Sequence, residues 1–403
     1  MIETVTFKNF KSLQDVTLNL DRFTVLVGPN GGGKSSVLQA MHLLSQTGLV
    51  RKNNRHDNSD AVHPWARLGR TFHDIPDPRR FTNPLQSSVI ELSMRATSGE
   101  QLHLKVSVPG ADEDEQVPDT AIEFRLHMYG PNGEHLETVV PFTGVAPTPE
   151  AQKVLDDPRI RRFGSLAYLH LDANEMTRPS IPTGEKSQMR FNGAGLPSVL
   201  AWMKGAAEEE VEKLTQDLAR VVSGVKRIRT KKIRMFTRDV EPLSVEGQQV
   251  WRAVQKDEKA DRFEIEFEHG GSIPADLLSE GTVLALGLLT KLREPGRPKV
   301  ILLDDVDRGL HIDAQAKFVG VLRDLLEMDP ELQIVCTTHS PYLLDLFEPS
   351  EIRVLALDEK RQTRAKKLTD HVEFEKWRYG LQTGELYASL GDAWVSGPEE
   401  PAV

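Results

Sequence analysis

The sequence predicts an α/β protein: a mostly parallel core sheet flanked by helices, with an antiparallel β subdomain and a helical second lobe. Three observations lead there. Short apolar runs, "FTVLVG" at 23–28, "KVILLDD" at 299–305 and "LQIVCTTHS" at 332–340, each give way to a helical pattern. Uninterrupted apolar strands of this kind belong to sheets covered on both faces. The first run leads into the glycine-rich "GPNGGGKS", a strand–loop–helix order suited to holding phosphate. Between these runs, strand-like segments near 89–95, 102–108 and 121–129 follow one another without a helix, as in an antiparallel meander.

Taken in order, residues 1–27 read as two strands joined by a turn, followed by the strand that ends at the glycine-rich loop. Val37, Leu38, Met41 and Leu44 then recur at helical spacing. Residues 48–88 are polar and read as loop, and the acidic "PGADEDEQVPD" reads as a surface loop between strands. "SLAYLHLD" at 165–172 is a further strand. Two helical segments follow, with Val211, Leu214, Leu218 and Val221 on one face, and then a basic strand. From 262 the order is strand, helix, buried strand, helix, buried strand and helix, ending in an amphipathic, aromatic tail that suits packing on the core or against a partner. No sustained heptad array predicts a long coiled-coil arm. The expected division is 1–165 for the first part of a nucleotide-binding lobe, 166–260 for an inserted helical lobe, and 261–403 for the rest of the first lobe.

Composition narrows the function classes. With 403 residues, 39% hydrophobic and 27% charged, the chain has the make-up of an ordinary soluble globular protein. No apolar run reaches the length of about 18 residues that a membrane span needs, and "MIETVTFKNF" reads as a strand, not as a signal peptide. The single cysteine, Cys336, rules out an internal disulfide framework and a thiolate zinc site. A cytoplasmic protein with no membrane partner is expected. The net charge of −10 argues against an overall basic coat. A local patch exists all the same: "KRIRTKKIRMFTR" at 226–238 holds seven Lys or Arg, and strand alternation puts Arg227, Arg229 and Lys231 on one face. Together with Lys232 and Arg234 it suits phosphate tracking along DNA; a charged edge that blocks aggregation is the equal alternative.

The chemistry concentrates in a few places. Gly28, Pro29, Asn30, Gly31, Gly32, Gly33, Lys34 and Ser35 match the pattern G-x-x-x-x-G-K-[ST], with Ser36 continuing into the helix. The loop's N–H groups would curl round phosphate oxygens, Lys34 would reach the β- and γ-phosphates, and Ser35 would ligate Mg²⁺. In "VILLDDVDRGLH" a buried strand runs into two carboxylates. Asp304 is expected to hold Mg²⁺ beside Ser35, and Asp305 to polarise the attacking water.

"FKNFKSL" before the loop, "LSEGT" before a helix, "LLDDVDRGLH" and "TTHSP" together resemble the ABC-type ATPase heads of the SMC, RecF and OLD group, and more closely the short bacterial AAA-like ATPases that lack the coiled coil. The resemblance implies ATP and Mg²⁺ as ligands and a head-to-tail homodimer sandwiching two nucleotides. It puts Ser279, Glu280, Gly281 and Thr282 at the signature that reaches the partner's γ-phosphate, His339 at the switch histidine, residues 309–315 at the segment crossing the dimer interface, and Lys11 and Ser12 beside the nucleotide. Two departures stand out. Asp305 replaces the family's Glu, which would place the carboxylate further from the water and slow turnover. The glutamine expected after "LAYLHLD" is missing, leaving Asp172 or Asn174 as substitutes for metal or water contact, with Gln86 and Gln188 as the alternatives.

The expected function is an ATP-hydrolysing, dimerising head in DNA metabolism or anti-phage defence. No nuclease pattern is present, so a separately encoded TOPRIM-like or other nuclease is the expected effector. A slow ATP sensor or scaffold is the alternative. The nucleotide-binding subunit of a transporter is disfavoured by "FKNFKSL" and by the reduced signature.

Overall fold

The computed structural model describes residues 1–47, 88–108, 123–140, 149–182, 184–245 and 248–397. The polar segment at 48–87 and the acidic loop at 109–119 lie outside the described residues. The chain divides into two compact units: residues 1–168, 298–307 and 322–403, and residues 169–297 and 308–321.

The first unit holds two six-stranded sheets. One is the predicted meander enlarged by the N-terminal strands. β1 (Ile2–Phe10), β2 (Leu13–Asn19), β4 (Ser88–Ala96), β5 (Gln101–Val108), β6 (Glu123–Tyr129) and β7 (His135–Val140) run in the order β2-β1-β4-β5-β6-β7. Each neighbouring pair is antiparallel. Alternation fixes its faces: Leu102, Leu104, Leu126 and Met128 are buried, while the intervening residues face outward.

The other sheet is the predicted core. β3 (Phe23–Val27), β8 (Leu166–Leu169), β12 (Val300–Leu303), β13 (Gln333–Thr337), β14 (Ile352–Leu357) and β15 (Thr363–Lys367) lie in the order β15-β14-β3-β13-β12-β8. β14, β3, β13 and β12 are parallel and β15 closes the edge antiparallel. Every residue of β3, β12 and β13 is buried, Cys336 among them, and burial pushes the Cys336 thiol pKa up. Helix α1 (Lys34–Thr47) turns Val37, Leu38, Met41 and Leu44 into the core. The tail forms short helices at Phe374–Trp377, Thr383–Leu390 and Ala393–Ser396. Phe374, Leu386 and Val395 are buried there, while Tyr379 is exposed.

The second unit combines α2 (Ala173–Thr177), α3 (Leu196–Ala206), α4 (Glu208–Val221) and α5 (Glu280–Arg293) with a three-stranded sheet. Val211, Leu214, Leu218 and Val221 are buried as their spacing foretold. Asp217 is buried on the same face of α4 and accepts from Arg293 Nε at 2.7 Å. Its sheet is larger than expected: β9 (Val225–Val245) pairs along nearly its whole length with β10 (Gln248–Phe267), and β11 (Gly271–Pro274) adds to the edge. The charged "QKDEKADR" of β10 carries no apolar alternation. It is a strand because β9 supplies its hydrogen-bonding partner, not because of its own pattern. The short helices at Pro149–Leu155 and Pro158–Gly164 were likewise unforeseen.

Candidate functional site

The carboxyl ends of the neighbouring parallel strands β3, β13 and β12 bring together the glycine-rich loop, Thr337–His339 and Asp304–Asp305. Ligands of open α/β sheets bind outside strand ends of this kind. Pro29, Asn30 and Gly31 form the exposed rim of the loop, while Gly32, Gly33 and Lys34 are buried. Gly28 has φ 142°, and a Cβ there would collide with the Leu355 carbonyl on β14, so only glycine lets the loop lie against that strand. Ser35 and Ser36 open α1, and Val37 N–H donates to the Gly33 carbonyl at 3.0 Å.

Lys34 Nζ folds back on its own loop, donating to the Gly28 and Pro29 carbonyls at 3.0 and 2.9 Å. Burial lowers its pKa, and the charges of Asp305 and Asp304 oppose that shift. The ammonium is thus a poorly solvated cation held on two loop carbonyls beside the backbone of the glycine-rich loop, suited to an incoming phosphate. Asp304 is the hub. Its Oδ1 accepts from Ser35 Oγ at 3.0 Å and Thr337 Oγ1 at 2.7 Å, and its Oδ2 accepts from Tyr168 OH at 3.0 Å. A buried carboxylate beside a serine hydroxyl is an oxygen donor set that fits a hard divalent cation such as Mg²⁺.

Asp305 has φ 54°, a left-handed backbone in which Asp is enriched and longer side chains are rare. This supplies a local reason for the residue that the sequence left as a departure. Its N–H donates to Thr337 Oγ1 at 2.8 Å, and its Oδ1 lies 3.9 Å from His339 Nε2. Both side chains are partly exposed at the mouth of the site.

Several members of this constellation carry no sequence signal. Tyr168 is one residue of an apolar strand, and burial with the charge of Asp304 pushes its pKa up. Gln39 hydrogen-bonds the Tyr168 hydroxyl and accepts from Lys11 Nζ at 2.5 Å. Ser12 is held by Thr363 through Oγ1→Oγ and N→O bonds of 2.8 Å each. Lys11 and Ser12 are half-buried and tethered to α1 and β15, so the β1–β2 turn is braced against the loop region.

In the second unit, Ser279 is the N-cap of α5: its Oγ accepts from Thr282 N–H at 3.3 Å and lies 2.8 Å from Thr282 Oγ1. Ser279 and Glu280 are exposed, while Gly281 and Thr282 are buried. A Cβ at Gly281 would strike the Gly309 carbonyl, so this glycine allows the Ser279–Thr282 turn and the 309–315 segment to meet. Arg308 pairs with Glu280 at 3.2 Å. Leu277 is 72% exposed and Ile312 54%.

Asp172 caps α2, its Oδ1 accepting from Asn174 and Glu175 N–H. That carboxylate has a structural task, and Asn174 sits in the same first turn. On β9, Arg227, Arg229, Lys231, Lys232 and Arg234 are exposed as predicted, and carboxylates of β10 meet several of them. Arg229 pairs with Glu266 at 2.5 Å, Lys231 with Glu264 at 2.7 Å and Lys232 with Asp261 at 3.6 Å. The cross-strand acids reduce the positive field that the sequence of β9 alone suggested.

Residues 206–345 match the family described as "AAA domain, putative AbiEii toxin, Type IV TA system", and residues 1–102 match "AAA ATPase domain". A Septu protein PtuA of Bacillus thuringiensis is 32% identical over 79 residues, 19% of each chain. An OLD nuclease of Thermus scotoductus is 43% identical over 44 residues, 11% of this chain and 8% of the nuclease. These matches span under a fifth of the relatives' own length. Among solved structures, an Smc head bound to the C-winged helix domain of ScpA aligns with a TM-score of 0.52 at 13% identity, covering 91% of this chain and 98% of that one. No described helix is long and apolar enough to cross a membrane.

Proposed function

We propose that the chain is an ATPase of the SMC, RecF and OLD type, which hydrolyses ATP with Mg²⁺ at the Lys34–Asp304 site and closes on the nucleotide as a homodimer; the two AAA-type matches and the short match to an OLD nuclease support this. The observation that carries the reading is the convergence of Lys34, Ser35, Asp304, Asp305 and His339 at three neighbouring strand ends. Lys34 exchanges its loop carbonyls for phosphate oxygens. Ser35 and Asp304 hold Mg²⁺, which supplies charge neutralisation at the phosphates. Asp305 accepts a proton from the attacking water while His339 orients it. The long Asp305–His339 separation favours slow turnover and a lasting ATP-bound state.

Ser279 to Thr282 of one copy complete the site of the other. The exposure of Ser279 and Glu280 at a helix N-terminus supports this, as do the uncovered Leu277 and Ile312 on adjoining elements. The likeness to a Septu protein and an OLD nuclease supports a place in anti-phage defence or DNA metabolism, with cleavage carried out by a separately encoded nuclease.

Mixing two inactive variants tests the sandwich. Lys34→Ala removes phosphate binding in cis, and Ser279→Arg blocks the corner in trans. Each alone is expected to abolish ATP turnover, while the mixture regains about a quarter of wild-type activity, since random pairing yields half heterodimers with one intact site each. A mixture as inactive as its components would sink the shared-site reading.

A further inference from the structure

On the outward face of the antiparallel sheet, three strands bring imidazoles and a carboxylate together, away from the nucleotide chemistry. His127 on β6 stands opposite Glu137 on β7 and opposite His103 on β5, and His135 lies two residues along β7 on the same face. The ligand atoms of His127, His135 and Glu137 all fall within 4.8 Å of one another. His127 Nδ1 is 3.2 Å from His135 Nε2 and 3.7 Å from Glu137 Oε2. For a tetrahedral ion with metal–nitrogen bonds of about 2.05 Å, ligand atoms lie about 3.3 Å apart. The observed spacing therefore leaves room for an ion after small ring rotations.

We infer that His127, His135 and Glu137 form a site for a zinc-type divalent transition metal. Two imidazoles and a carboxylate suit Zn²⁺ and disfavour Mg²⁺, which prefers oxygen ligands alone. The surroundings are arranged as for a metal centre. Glu137 Oε1 is held by Arg125 Nη1 at 3.2 Å, leaving Oε2 turned to the histidines. Tyr129 stacks on His135 at 4.7 Å between centroids and restrains that ring. His103 packs 5.8 Å from His127, and its buried Nε2 has no hydrogen-bond partner among the described residues. Without metal, the 3.2 Å contact is a hydrogen bond in which one ring donates to the other. Binding requires that proton to leave the shared contact, so that both nitrogens present lone pairs to the metal. The ion would clamp β6 to β7 near the edge of the sheet.

The test is a Zn²⁺ titration of the full chain, without a histidine tag and in excess Mg²⁺, followed by calorimetry against a competing chelator. One Zn²⁺ per chain is expected, with a rise in thermal midpoint as the folded state is selectively bound. His135→Ala and Glu137→Gln should each weaken binding by about 100-fold or more, since loss of even an indirect ligand partner costs 10–100-fold. His269→Ala, an exposed histidine of the other unit, should leave it unchanged. Binding only in the millimolar range, or equal affinity in the His135 and Glu137 variants, would overturn the assignment. The cobalt form provides a second readout: a tetrahedral visible spectrum supports the site, and the spectrum of the hydrated ion opposes it.

Discussion

Replacing Asp305 with Glu is the sharpest probe of the catalytic geometry. Asp305 Oδ1 stands 3.9 Å from His339 Nε2, about 1.1 Å beyond a charge-assisted hydrogen bond of roughly 2.8 Å. One added methylene advances the carboxylate by roughly 1.3 Å, a carbon–carbon bond projected along its zigzag. It therefore spans the gap. If misplacement on this scale costs about 10²-fold in rate, the variant should hydrolyse ATP some 10- to 100-fold faster. The left-handed backbone at Asp305, φ 54°, opposes the change, since a longer side chain costs about 1 kcal/mol there. That strain is present in ground and transition states alike, so it lowers stability and leaves the rate gain intact. The assay is single-turnover ATP hydrolysis, which isolates chemistry from product release, with thermal unfolding run in parallel. A faster chemical step and a midpoint lower by no more than about 2–4 °C are expected, with Asp305→Asn slower than wild type. A folded Asp305→Glu protein with an unchanged or slower chemical step would refute the argument.

Two further outcomes follow from groups buried around the same site. Tyr168→Phe removes one of the three hydroxyl donors to Asp304. Loss of a hydrogen bond to a charged acceptor predicts about 1.5–3 kcal/mol less stability in nucleotide-free protein by denaturant unfolding, and an unchanged midpoint would count against the hub. His42, fully buried in α1 and 5.6 Å from the Tyr168 ring, has its pKa lowered to about 4 by desolvation. The unfolded chain binds that proton near pH 6.5 and the folded chain only near pH 4. Stability is therefore complete above pH 6.5 and declines as the pH falls toward 4, by roughly 3 kcal/mol in all. His42→Leu should flatten the pH dependence of urea midpoints across that window, and an unaltered slope would contradict the assignment.

Much of the molecule was legible before folding because its signals are local. The apolar runs that became β3, β12 and β13, the helical spacing of α1 and the pattern around Lys34 all depend on neighbours within a turn or a strand. The β9–β10 ribbon was only half visible, since β10 takes its strand state from a partner and not from its own alternation. The basic face is likewise reduced, Arg229 and Lys231 pairing across the strands with Glu266 and Glu264, residues remote in sequence.

By itself, the sequence determined a phosphate loop between strand and helix, a carboxylate pair at a buried strand end and a Ser-Glu-Gly helix start, because each is written in contiguous residues. Only tertiary structure decided that Tyr168 and Thr337 converge on Asp304 and that His127, His135 and Glu137 share a face. It also decided that Asp305 stands in a left-handed turn. Those facts depend on strand order, register and backbone angle, which arise from long-range pairing and the exclusion of water from the core, and no short window of residues encodes them.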